Sequence, residues 1–203
     1  RLSASTDGVA LNCNIKIRLE HYMSNRALQE SVSSMTDKIA GIQPNLNILT
    51  LGDSIALGNR NGNKGFVGDL GMPYVNIAVS GASISTVRTQ YTNVFTQLIN
   101  YQSENPTYKP DCIVANGGIN DYISGAQMGA IPTVPAMSDA DADALDKATL
   151  MGAAGYLFYQ MIKLYPRAQR YFVIVHKIKR GENNIYYPTH VSPTGGYTQD
   201  EMH

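Results

Sequence analysis

Three times along this chain a short apolar run breaks into glycine. Leu46 to Leu51 runs into Gly52-Asp53-Ser54, Val75 to Val79 into Ser80-Gly81, and Cys112 to Ala115 into Gly117-Gly118-Ile119-Asn120-Asp121. Runs this short, closed by glycine, read as buried strands, because a helix needs a longer stretch. Helical spacing fills the gaps. Val87, Tyr91, Val94, Leu98 and Ile99 share one face over residues 86–101, and a second helix is expected from Ser138 to about Leu164, stopping before Pro166. Ser138 suits its N-cap, with Asp139, Asp141 and Asp143 in the first turn. A fourth strand is expected over Tyr171–Lys177. Strands alternating with helices predict an α/β fold with a parallel sheet.

Such sheets carry their chemistry at the carboxyl ends of the strands. The three breaks put a hydroxyl (Ser54), a turn glycine (Gly81) and an amide side chain (Asn120) at three such ends. That set suits acyl transfer.

Composition narrows the partners. Sixteen basic residues balance sixteen acidic ones, so the net charge is zero, and no basic tract occurs. Attraction to nucleic acid or to an anionic membrane surface is not indicated. No apolar run approaches the roughly 20 residues of a membrane span. Two cysteines, Cys13 and Cys112, make no disulfide framework, and Cys112 reads as a small buried hydrophobe within a strand. No metal or cofactor is expected. The loop Gly58–Gly65 is rich in glycine but lacks the Gly-Lys-Ser/Thr ending of a phosphate-binding loop.

Residues 1–45 differ from the rest. Val9–Leu19 alternates like a half-buried strand, and Arg26–Ala40 reads as a helix with Gly41 as its stop. They are read as a lead-in or docking segment, a contact point for a larger assembly, followed by one domain over 46–203.

Gly52-Asp53-Ser54-Ile55 resembles the GDSL block of the SGNH hydrolases, with Ile where Leu is usual. Gly81 resembles the glycine of the family's second block, and Gly118-Ile119-Asn120-Asp121 its GxND block. The resemblance covers about residues 46–180. It implies a flavodoxin-like three-layer α/β/α sandwich and a serine esterase working through an acyl-enzyme. Ser54 would be the nucleophile, and the backbone N–H groups of Ser54 and Gly81 with the Asn120 amide the oxyanion hole. Asp53 and Asp121 are expected to be structural.

A serine hydroxyl needs a base, and here the sequence leaves choices open. The family places Asp-x-x-His near its C-terminus. Asp200-Glu201-Met202-His203 has that spacing, but Thr198 and Glu201 also read as a capping box. His176 lies near the carboxyl end of the fourth predicted strand, and His190 lies in the loop Tyr187–Pro193. A further expectation is that the chain is the front part of a longer protein, with the true Asp and His beyond His203. The polar loops favour a hydrated substrate, and O-acetyl groups on a carbohydrate are the first expectation. The rival is a glycan-binding or structural module without a complete site, as in a phage tail or cell-surface protein. Either reading fits an extracellular, cell-surface or virion setting.

Overall fold

The computed structural model of the chain describes residues 46–59, 62–174 and 195–196. The lead-in 1–45, Asp200, and His21, His176, His190 and His203 lie outside the described residues.

Among the described residues four strands form one sheet: β1 (Ile48–Leu51), β2 (Tyr74–Asn76), β3 (Cys112–Gly117) and β4 (Gln169–Ile174). All neighbours are parallel, in the order β2-β1-β3-β4. Thr50 of β1 sits opposite Asn76 of β2, Leu51 opposite Ala115 of β3, and Ala115 opposite Phe172 of β4. The chain therefore leaves β1 to one side and re-enters the sheet at β3 on the other. This reversal opens a crevice at the carboxyl ends, where open α/β sheets bind their ligands.

The helices are α1 (Ser54–Leu57), α2 (Val94–Glu104), α3 (Ile119–Ser124), α4 (Asp139–Asp143) and α5 (Leu150–Leu164). On one face of the sheet Leu49, Leu51, Ile113 and Ala115 meet Val94, Phe95 and Leu98 of α2 and Leu150, Ala153, Leu157 and Met161 of α5. Phe95 and Tyr156 lock the two helices edge to face, with ring centroids 5.1 Å apart. Removing one buried leucine from such a layer costs about 2–5 kcal/mol. On the opposite face Ile48 and Cys112 pack with Val67, flanked by Phe66, Met72 and Tyr74. The architecture is the three-layer α/β type. Cys112 is buried, as its setting in the apolar run suggests. Over β4, Tyr171 and Val173 on this second face are 46% and 37% exposed.

Two expected helices are corrected. The stretch read as a helix over 86–101 starts only at Val94, capped by Asn93, whose side chain accepts the Thr96 N–H at 3.0 Å. Residues 83–92 are instead held by outside partners. Asp121 takes the N–H groups of Ile84 and Ser85, and the Thr86 N–H reaches Lys147 O at 2.9 Å. The helix expected over 138–164 is two helices. Ser138 caps α4 in a capping box with Asp141. The chain then turns, with Ala148 N–H on Asp146 Oδ1, and Thr149 caps a fresh start. A second cap within an apolar pattern is a stop that periodicity alone does not show.

Candidate active site

At the end of β1 the backbone goes where only glycine fits. Gly52 has φ +148°, and a Cβ there would stand 2.6 Å from Asn116 O on β3. Gln97, buried in α2, clamps this glycine from the core side. It accepts the Gly52 N–H at 3.0 Å and donates through Nε2 to Gly52 O at 2.9 Å. Val79 N–H, just past β2, donates to the same carbonyl at 3.0 Å. Asp53 then caps α1, its Oδ1 accepting the Ile55 N–H at 2.8 Å. Ser54 is the first residue of α1 and is half-buried. Its N–H belongs to a first helical turn, where the helix supplies no acceptor.

Gly81 follows β2 in a turn closed by Ala82 N–H on Val79 O. Its φ is +83°, and a Cβ would strike the Tyr91 ring at 2.8 Å. Glycine is required here on both counts. Asn120 sits in α3 and is 9% exposed. Its Nδ2 donates to Ala82 O at 2.8 Å, and its Oδ1 accepts from Arg88 Nη1 at 2.7 Å. These partners fix which end of the amide is which. An amide nitrogen carries two hydrogens, so one remains beyond the bond to Ala82.

Two carboxylates lie beneath. Asp121 is buried and accepts the N–H groups of Ile84 and Ser85, both at 2.8 Å. Burial pushes its pKa up, while those hydrogen bonds pull it back. Asp53 is fully buried too. Desolvation first, and then the negative charge of Asp121, push it up to about 6 against the pull of its backbone hydrogen bonds. Among the described residues Asp53 Oδ2 has no hydrogen-bond partner, nor does Asn116 Oδ1. Both aspartates thus hold backbone, as expected for turn formers.

The three strand ends are joined directly. Gly52 O ties β1 to the chain past β2, Asn120 ties α3 to Ala82, and Asn59 Nδ2 reaches Ser80 Oγ at 2.8 Å. Sequence reasoning missed Gln97 and Arg88. Gln97 had a signal, a lone amide between the apolar residues Val94 and Leu98 of a helix face. Arg88 had none. Of the base candidates, His176, His190, Asp200 and His203 all lie outside the described residues.

Residues 48–157, more than half of the chain, match the sequence profile of the GDSL-like lipase/acylhydrolase family. The chain belongs to that family. It is therefore an ester hydrolase by family. Two solved structures agree on the fold. One is 20% identical over 77% of this chain and 68% of its own, with a TM-score of 0.56. A Lactobacillus plantarum protein is 21% identical over 77% of this chain and 67% of its own, with a TM-score of 0.51. A Bacteroides uniformis protein classed as a GDSL-like lipase is 21% identical over 71% and 77%, with a TM-score of 0.48. No curated protein sequence matches the chain.

Among the described residues of this GDSL-like hydrolase, no cluster of His, Cys, Asp and Glu is arranged to hold a metal, and no helix is long and apolar enough to cross a membrane. Two shallow clefts, of about 470 and 380 Å³, are lined by Pro132–Leu145 and by Lys109–Ala168 residues, without Ser54, Gly81 or Asn120. Neither bears on the chemistry.

Proposed function

We propose that this GDSL-like hydrolase cleaves esters through an acyl-enzyme on Ser54. The observation that carries the reading is the bond from Asn120 Nδ2 to Ala82 O. It seats the amide beside Gly81, at the crevice where β1 delivers Ser54.

Ser54 Oγ attacks the ester carbonyl carbon and passes its proton to a histidine. The carbonyl oxygen becomes an oxyanion, taken up by the N–H groups of Ser54 and Gly81 and the remaining Asn120 N–H. The protonated base gives its proton to the departing alkoxide, leaving an acyl-serine. Water then attacks that acyl group by the same route in reverse roles, releasing the acid and Ser54. Donors aimed at charge that develops only in the transition state speed the step without tightening the ground state. The base is sought among His176, His190 and His203 with Asp200. Asp53 is unsuited, being buried and committed to Ile55.

The substrate we propose is an O-acetylated carbohydrate. Asn59 and Ser80 supply hydroxyl-binding groups around the strand ends, and an acetyl group needs no long apolar channel. The lead-in 1–45 is proposed to dock the domain to a larger assembly.

The test is labelling of the full-length protein by a fluorophosphonate, wild type against Ser54→Ala. Labelling that vanishes in the variant supports the esterase. A folded wild type that stays unlabelled overturns it and favours a glycan-binding module.

A further inference from the structure

Arg88 precedes α2 in a stretch that carries no motif, yet it touches one donor of the proposed oxyanion hole, Asn120, and the ring that backs another, Gly81. Its guanidinium donates to Asn120 Oδ1 at 2.7 Å and lies 4.6 Å from the centre of the Tyr91 ring. That ring fills the space a Cβ on Gly81 would need. Arg88 is half-buried, and among the described residues no carboxylate pairs with it. A cation placed like this is directed at an amide rather than at an acid.

Resting on the esterase reading, we propose that Arg88 is a positioning residue that orients the Asn120 amide and polarises it toward the oxyanion. Two effects follow from the one hydrogen bond. A guanidinium donates and never accepts, so Asn120 must turn Oδ1 toward Arg88 and Nδ2 toward Ala82 and the crevice. The bond is also charge-assisted. Drawing electron density onto Oδ1 leaves the Nδ2 hydrogens more positive, because the amide is conjugated and hydrogen bonds in series strengthen one another. The cation thus acts on the oxyanion through Asn120. Stacked on Arg88, Tyr91 backs Gly81, so the two donors share one brace.

The experiment uses the full-length protein, with p-nitrophenyl acetate as probe substrate. Arg88→Met is expected to lower kcat about tenfold or more, with KM within about twofold, since only transition-state stabilisation is weakened. Arg88→Lys keeps the charge and is expected to recover most of kcat, whereas Arg88→Gln is not. A second readout needs no activity. The Asn120 side-chain NH₂ pair in ¹⁵N–¹H spectra, identified by its loss in Asn120→Asp, is expected to shift upfield in Arg88→Met and to stay near wild type in Arg88→Lys. An unchanged kcat, a raised KM at full kcat, or an unmoved Asn120 resonance each overturns the proposal. A wild type that neither hydrolyses the probe nor labels sinks the esterase reading, and the Asn120 resonance still decides the Arg88 contact. If Arg88→Met does not fold, the Lys and Gln variants give the same comparison.

Discussion

The two ends of one strand pair are built on different rules. Around Leu49 and Ile113 the sheet is filled by aliphatic side chains from α2 and α5. One turn further along, at the carboxyl ends, the buried groups are Asp53, Asn116, Asn120, Asp121 and Gln97. The first region gains stability from apolar area removed from water, a term that is non-directional. The second holds carboxylates and amides out of water, which is costly unless each is bonded, and its bonds run almost entirely to backbone: Gln97 to Gly52, Asp53 to Ile55, Asp121 to Ile84 and Ser85. The apolar region makes the fold durable. The polar one sets where a few N–H groups point, and gives up stability to do so.

Substitutions can separate these two roles. Ser54→Ala is expected to lower kcat by about 10⁴-fold or more, while leaving the unfolding free energy within about 0.5 kcal/mol. An ester assay and a urea titration check both halves. Asn120→Ala is expected to cost about 10²–10³ in kcat with little change in KM, as loss of an oxyanion donor does.

Neighbours on α2 sharpen the contrast. Leu98→Ala is expected to cost about 2–5 kcal/mol of stability through the cavity it leaves, with kcat per folded molecule unchanged. Gln97→Met leaves the Gly52 N–H and carbonyl without that clamp and is expected to cost about 2–4 kcal/mol. It should also lower kcat, because Gly52 aims the turn that carries Ser54. If the two variants lose stability alone, the distinction between the regions fails.

The smallest effect concerns pH. Asp53 is raised by burial from its ordinary 3.8 to about 6 in the folded chain. The folded state therefore holds this proton more tightly than the unfolded one. Its contribution is most favourable below pH 3.8 and declines as pH rises to about 6, by on the order of 2–3 kcal/mol at most. Asp121 shifts in the same direction. Urea midpoints measured from pH 4 to 7 should fall across that window and flatten in Asp53→Asn. A wild-type midpoint that climbs through it would show both carboxylates better paired than this geometry allows.

Much of this was legible in the sequence. The strand ends were, because Gly52, Gly81 and Gly118 are needed by steric fact and leave a mark in one dimension. β1, β2 and β3 fall within or close to the runs that announced them. The helices were less so. α1 and α3, of four and six residues, are too short for a period of about 3.6 residues to repeat. The start of α2 was overrun because Val87 and Tyr91 mimic a helical face, while distant partners, Asp121 and Lys147, hold their segment in turns. Arg88 and Gln97 stayed hidden for a related reason: their partners, Asn120 and Gly52, are 32 and 45 residues away. No local pattern encodes such a pairing.

Those same separations bear on how the molecule is made. The bonds that join Ala82, Ile84 and Arg88 to Asn120 and Asp121 span 38, 37 and 32 residues, and all of them lie within residues 52–121. Their closure entropy grows only slowly with loop length, and every participant precedes α4, α5 and β4 in the chain. The polar corner around Gly52, Ala82 and Asn120 is thus tied by bonds among segments no later than α3, whereas the apolar core behind it also draws on α5, which comes later in the chain.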